Sequence, residues 1–448
     1  MDKLVEAQNY LESVWRPGLG LPTSPSHPDN WGANLEANVE AHLAMGRLDR
    51  AHVEYGRWEA ARFPETGLAS HYLLGSHMRG GGMIETNWID ARVQKVIELP
   101  NGEKVTPLAA PPNWVIAAEK IADFMEPDRA KLWVEGIFDD LCTSSMALYH
   151  ERSIDDQGGL IVQLHQDELT FSGGALAQIA KSKTGASSRT QVIQQLNRAA
   201  LAVREWVTEP SEQERLNGTL YHKDFTPVVD VAINALMAAN NQALQRLADD
   251  YGLTIPFELQ RRIRNTERAL PDLIREETGL PEPHTASLER VFANLSHASY
   301  SIESWLAIAR APKLLGEAAV QAANVIYRLV EEDRYILPTF FRRVGANIIT
   351  ENAAEQGAIS PTHSLEVARR LQAEFSGLRE ISDAALMLGE ATMELLDDAE
   401  GFPRSFNPLT GEANLGGNVL TRRFLRKQEF WTPTATAVVA YRQAELLD

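Results

Sequence analysis

Apolar residues return every three or four positions along most of the chain. Leu35, Val39 and Leu43 form one such stripe. Trp114, Ile121 and Met125 form another, followed by Ile233, Leu236, Leu244 and Leu247, and then by Leu315, Ala319, Ala322, Ile326 and Leu329. A period near 3.6 is that of a helix with one buried face. The pattern predicts helices over 2–15, 32–46, 47–62, 113–125, 128–150, 173–183, 189–207, 227–251, 255–278, 301–310, 312–332, 363–375, 380–398 and 432–446. Pro312 suits a first turn, where its missing N–H would be unpaired anyway. Period-two alternation is nearly absent. The main exception is Val93 to Leu99 followed by Pro100-Asn101-Gly102, and Asn-Gly between short extended runs predicts a small β-hairpin over 92–107.

No Pro-, Ser- or Gly-rich linker divides these segments, so the expectation is one all-α domain over 1–448. An α-solenoid would show self-similarity at ~34–45 residues, and none is found. Long polar segments at 17–31, 64–112, 152–172, 280–297, 333–362 and 399–431 alternate instead with short connections. Long loops in a compact domain usually carry function. This alternation predicts a toroid of six inner and six outer helices, the (α/α)6 barrel, with its functional residues on loops at one end. Segment 76–110 is the candidate lid.

Composition narrows the chemistry. Of the 448 residues 44% are hydrophobic and 23% charged, the profile of a globular protein. Cys142 is the only cysteine, which excludes a disulfide framework; its apolar neighbours Phe138, Leu141 and Met146 predict a buried side chain. Lys and Arg number 43 against 61 Asp and Glu, a net charge of −18 that argues against nucleic acid and anionic membranes as partners. No apolar run approaches the ~18 residues of a membrane span, and the charged start MDKLVEAQNYLESVW is no signal peptide. A cytoplasmic location is expected. Phosphate-loop, dinucleotide-binding and nucleophile-elbow motifs are all missing, so no cofactor is expected. His165, Asp167 and Glu168 lack an obvious third metal ligand, and no metal site is expected either. The partner is a small-molecule substrate, and a homo-oligomer is compatible with the sequence.

Several loops carry a family resemblance. Pro111-Pro112-Asn113-Trp114 resembles the "QPP" helix start of the (α/α)6 glycosidases of glycoside hydrolase family 63, with their bacterial mannosylglycerate and glucosylglycerate hydrolases. Leu148-Tyr149-His150-Glu151-Arg152, with Asp155, Asp156 and Gly159-Leu160, resembles their next landmark, leading into Leu164-His165-Gln166-Asp167-Glu168. Asp230 to Asn234, followed by Leu247-Ala248 and Gly252, is similar to the "D…N…LA…G" helix. Phe406-Asn407-Pro408-Leu409-Thr410-Gly411-Glu412, then Gly416-Gly417 and Phe430-Trp431-Thr432, looks like the "YxPxTG…G…FxWT" ending. These anchors occur in order over about 110–435. The resemblance implies a trehalase-like barrel acting on carbohydrate, although a fold alone does not fix an activity.

The departures fall on the catalytic positions. Ser172 stands where the resemblance implies the general-acid aspartate, and Arg404 or Ser405 where it implies the general-base glutamate. Residues 355–361 keep a glycine of the sugar-cradling "YWRGPxW" element but lack its arginine and tryptophans. Inverting hydrolysis needs a protonated carboxylic acid over the leaving oxygen and a carboxylate holding water ~6.5–9.5 Å away. Serine supplies no such proton and arginine is no base. Displaced carboxylates are therefore needed: Asp167 or Glu168 as acid, and Glu412 or Glu400 as base. Asp167 and Glu168 serve equally as caps of a helix starting near Gly173, and Glu412 as a solvated turn residue.

Other candidates line the same segments. Arg79 precedes Gly80-Gly81-Gly82, where glycine permits close backbone approach to a ligand, and its guanidinium suits a carboxylate such as glycerate. A surface arginine on a flexible tip is the plainer alternative. Glu85 and Trp88 follow in the segment that borders the pocket in the family. His71-Tyr72 loosely resembles a "GxxPH" loop, and Trp31 with Asn34 stands where the family carries "WxxD", a sugar-stacking tryptophan and a hydroxyl-binding aspartate. Trp31 is equally a core residue and His71 a structural hydrogen-bonder. Three readings follow. The first is a hydrolase of a small α-glucoside or α-mannoside with relocated acid and base. The second is a repurposed barrel performing isomerase, cyclase, dehydratase or lyase chemistry on a non-sugar molecule, and the third a catalytically inactive binding protein.

Overall fold

In the computed structural model, Asp2 accepts a hydrogen bond from the Leu4 amide at 2.9 Å and so starts α1 (Lys3–Val14). The structure describes residues 2–23, 30–64, 66–70, 72–74, 97–105, 110–153, 159–161, 228–274, 279–281, 284–285, 302–331, 360–399, 401–403, 405–406, 413–414 and 431–445. Eleven further α-helices follow within them: α2 (Leu35–Ala44), α3 (Leu48–Ala60), α4 (Trp114–Phe124), α5 (Pro127–Arg152), α6 (Val231–Tyr251), α7 (Phe257–Ala269), α8 (Ile302–Arg310), α9 (Pro312–Glu331), α10 (Pro361–Glu374), α11 (Arg379–Asp397) and α12 (Thr432–Glu445). Proline opens α5, α9 and α10. The helix expected over 255–278 is shorter: α7 ends at Ala269 and a 3-10 turn over Leu270–Leu273 follows, because Pro271 has no N–H to continue the ladder. The expected helices 173–183 and 189–207 lie outside the described residues.

The even-numbered helices contact one another in a closed ring, α2–α4–α6–α8–α10–α12 and back to α2. Each odd-numbered helix packs outside: α1 on α12, α3 on α2 and α4, α5 on α4 and α6, α7 on α6, α9 on α8, and α11 on α10. This is the predicted (α/α)6 barrel. Side chains buried between the layers form the apolar core, an annulus rather than a centre. Its two clusters meet on α6, which gives Val231, Ala232, Ala235 and Ala238 to one and Ile233, Leu236, Met237 and Leu244 to the other. The alanines on α4, α6, α8 and α10 let ring neighbours approach closely. Cys142 is buried in the annulus, which together with Asp139 pushes its thiol up to about 12.

The expected hairpin is present as β3 (Ile97–Glu98) and β4 (Lys104–Val105), turned at Asn101-Gly102, where Gly102 has φ +83°. It is not isolated. Strands β1 (Asn30–Trp31) and β2 (Tyr72–Leu74) extend it to a four-stranded antiparallel sheet in the order β1-β2-β4-β3. Two-residue strands this short leave almost no period-two signal in the sequence. No helix among the described residues is long and apolar enough to cross a membrane.

Candidate functional site

Neighbouring inner helices run in the same direction in three pairs, α2 with α4, α4 with α6, and α10 with α12. Between α2 and α4, Asn113 Nδ2 donates to the Gly32 carbonyl at 3.0 Å, and further along Lys120 Nζ meets Glu40 at 3.1 Å. Between α4 and α6, the Val115 amide donates to Asn240 Oδ1 at 2.9 Å, and later Arg246 Nη2 donates to Glu119 at 2.8 Å. Thr362 and Thr434 pair the first turns of α10 and α12 at 3.1 Å. Each inner helix is joined to the next outer helix by a short connection: 45–47, 125–126, 252–256, 311 and 375–378. Each is preceded by a long segment. The six inner N-termini, with the long segments leading into them, therefore mark one end of the ring as its mouth. Every candidate named from the sequence belongs to a segment of that kind.

The described flanks of these segments are firmly tied. Ahead of α6, Asp230 caps the helix by accepting from the Ile233 amide at 2.9 Å. One turn on, the Asn234 carboxamide grips a single residue from both sides, accepting from the Ile161 amide at 2.8 Å and donating to its carbonyl at 2.9 Å. Two residues earlier, the Gly159 carbonyl accepts from Thr266 Oγ1 at 2.6 Å. Thr266 in turn pairs with Tyr149 at 2.6 Å, and Tyr149 accepts from Asn241 at 2.7 Å. Burial raises the Tyr149 hydroxyl to about 12, which keeps it a neutral member of this relay. Residues 159–161 are thus held against α6 and α7 where the chain sets out toward His165, Asp167, Glu168 and Ser172. Those four lie outside the described residues, as do His71, Arg79, Glu85, Trp88, Arg404 and Glu412.

Four candidates are described. Trp31 and Tyr72 are brought opposite each other as cross-strand partners of β1 and β2. The half-buried Asn34 occupies the N-cap position of α2 in a helical conformation, and its side chain makes no capping bond. Trp431 is 7% exposed; its amide donates to the Phe402 carbonyl at 2.7 Å, and the next amide, of Thr432, donates to Thr23 at 3.0 Å. Those bonds make Trp431 an anchor at the start of α12.

Inside the ring lies a group of charges that the motif analysis missed. Glu366 of α10 receives Arg310 of α8 at 2.8 and 3.0 Å and Arg370 Nε at 3.2 Å. Arg370 crosses the lumen to pair with Glu36 of α2, past the intervening α12. Arg369 crosses likewise to Glu40 at 2.7 Å, and Lys120 of α4 completes the set at 3.1 Å from Glu40. Four cations thus serve three carboxylates. A signal was available: charged residues spaced i, i+4 on two helices, at Glu36/Glu40 and Glu366/Arg370. Burial alone would push the Glu40 carboxyl up, but Arg369, Lys120 and Arg370 outweigh it and hold Glu40 well below its ordinary 4.5. Arg310 and Arg370 do the same for Glu366, and Glu36, Glu366 and Glu40 raise Arg370 against its burial.

A pH dependence follows. A carboxyl depressed in the folded state contributes stability that is fully present above its unfolded value and is lost as pH falls toward the folded one. The thermal midpoint is therefore expected to fall steadily below pH 4.5. A midpoint flat from there to about pH 3 would contradict the assignment of depressed carboxyls to the lumen.

No family model matches the chain, and no curated protein matches it in sequence. Solved structures do match. The family 63 mannosylglycerate hydrolase of Thermus thermophilus, in complex with glucose, superposes with a TM-score of 0.72 at 17% identity, over 98% of this chain and 99% of that one. A rhamnosidase from Klebsiella oxytoca with rhamnose bound gives 0.53 at 10% identity, over 100% of this chain and 64% of that one. Cellobiose 2-epimerase from Bacillus thermoamylovorans gives 0.50 at 10% identity, over 99% of each. The fold is that of the (α/α)6 glycosidases and related sugar-converting barrels, with a sequence far diverged from theirs.

Proposed function

We propose that this chain is a glycoside hydrolase-like enzyme whose whole length, 1–448, forms one catalytic domain acting on a small α-glucoside or α-mannoside. The observation that carries this reading is the grip of Asn234 on Ile161 beside the Thr266–Gly159 bond. It fixes the chain four residues before His165 and six before Asp167, at the end of the ring where the inner helices begin. Asp167 or Glu168 protonates the departing glycosidic oxygen while a second carboxylate, with Glu412 as the sequence candidate, draws a proton from the attacking water. Trp31, Tyr72 and Asn34 serve the sugar from the sheet and the α2 start, and Arg79 serves a carboxylate on the aglycone.

The test is an NMR time course with α-glucosides, α-mannosides, their glycerate glycosides and trehalose. Sugar release is expected, and Asp167→Asn or Glu168→Gln is expected to lower it about 10²–10⁴-fold, the usual worth of a positioned acid. Wild-type rates in both variants would remove these residues from the mechanism. A second reading is favoured by the epimerase that shares the ring over 99% of both chains: acid–base isomerisation of a free sugar. The same spectra separate the two, since isomerisation yields a new sugar with no leaving group.

A further inference from the structure

The first turn of α10 holds an imidazole that the sequence reading passed over. Along this helix Ser364, Leu365, Val367, Ala368 and Leu371 are buried, whereas Thr362, His363, Glu366, Arg369 and Arg370 keep partial exposure. Ring neighbours α8 and α12 flank α10, and α11 covers its outer side. The partly exposed stripe is therefore the one that faces the lumen. Within it His363, Glu366 and Arg370 are spaced i, i+3 and i+7 along one face. His363 stands nearest the mouth, one turn above the Glu366 that Arg310 and Arg370 hold.

Its orientation is set by a residue diverted from its usual task. Ser360 is the N-cap of α10, where a serine hydroxyl normally accepts from the helix's own first amides. Here it makes no such bond and pairs instead with His363 Nδ1 at 2.6 Å. Asp230, at the same place on α6, does cap its helix. A cap surrendered to fix one ring nitrogen, with a clamped carboxylate one turn below, is the arrangement of an oriented imidazole.

We propose that His363 is a substrate-contacting residue at the floor of the mouth, hydrogen-bonding a sugar hydroxyl, with Ser360 as its positioning residue. This rests on the reading of the mouth as a sugar site. The experiment uses full-length protein with 13C-labelled histidine, the His363 resonance being identified by its loss in His363→Gln. Addition of D-glucose is expected to shift that resonance. With an active glycoside, His363→Gln is expected to raise KM or lower kcat by about 10-fold or more. Ser360→Ala is expected to give a smaller loss, with a thermal midpoint close to wild type.

An unmoved His363 resonance at saturating glucose overturns the proposal. So does a His363→Gln enzyme with wild-type KM and kcat, and a variant that loses only its thermal midpoint shows the imidazole to be a structural cap. If no glycoside of the panel is turned over while glucose still shifts His363, hydrolysis fails as the reaction and the sugar contact stands. His363→Asn provides the second variant where glutamine does not fold.

Discussion

Glu366→Gln is expected to be among the most damaging conservative substitutions in this protein, costing about 3 kcal/mol of stability. The lumen set holds Lys120, Arg310, Arg369 and Arg370 against Glu36, Glu40 and Glu366. Neutralising Glu366 leaves two guanidiniums without their shared carboxylate and raises the excess of positive charge from one to two. Breaking a buried ion pair typically costs ~3–5 kcal/mol because the surviving partner stays desolvated. The lower end applies here because Glu366 keeps 19% of its side chain accessible. Arg370→Met removes the excess charge instead: Glu366 keeps Arg310, and Glu36 keeps Lys120 at 3.7 Å. It is expected to cost clearly less. Urea unfolding of both variants checks this, and the reverse order would mean that charge balance does not govern the lumen.

Gly159→Ala is the second large effect expected, about 3 kcal/mol. A Cβ there would overlap the Asn265 carbonyl and the Thr266 amide, which belong to the backbone of α7. A helix backbone cannot swing aside as a side chain can, so the 159–161 strip must lift. Lifting it breaks the Thr266–Gly159 bond and both Asn234–Ile161 bonds. Each is worth ~0.5–1.5 kcal/mol net, and overpacking alone costs ~1–3. Asn234→Ala removes two of the same bonds without the overlap and is expected to be milder in urea. On the proposed hydrolase reading, both variants should lose sugar release beyond their loss of stability, because each unties residues 159–161. A Gly159→Ala protein with a wild-type urea midpoint would show that the strip has room that the packing denies it.

The sequence was a good guide to the ring and a partial one to its mouth. Helical period, Pro312 and the alternation of long and short connections placed the twelve described helices to within a few residues, apart from the early end of α7 at Pro271. Helix formation is local, and a buried stripe repeats every turn whatever the ring around it. The Asp230–Asn234 motif was recognised as a string of letters; its grip on Ile161 joins residues 73 positions apart and leaves no local trace. The lumen charges were overlooked for the opposite reason. By spacing and residue type alone Glu36, Glu40, Glu366 and Arg370 are indistinguishable from a solvated helix face, and only the closed ring turns that face inward. His363 escaped notice because a Ser-x-x-His helix start carries no recognised motif.

The contact of α1 with α12 has a consequence for how the chain becomes a protein. The last inner helix is seated between α10 and α2, and Tyr10 pairs with Thr432 across 422 positions of sequence. Until residues 432–445 leave the ribosome, α2 has a bare apolar flank and the annulus has two open edges. Closure of contacts this distant pays its chain entropy first and collects packing energy last. The ring is therefore closed by the docking of one helix, which seals the annulus and completes the wall around the lumen charges together. A chain stopped short of it would present those two edges to its neighbours, as a substrate for chaperones or aggregation.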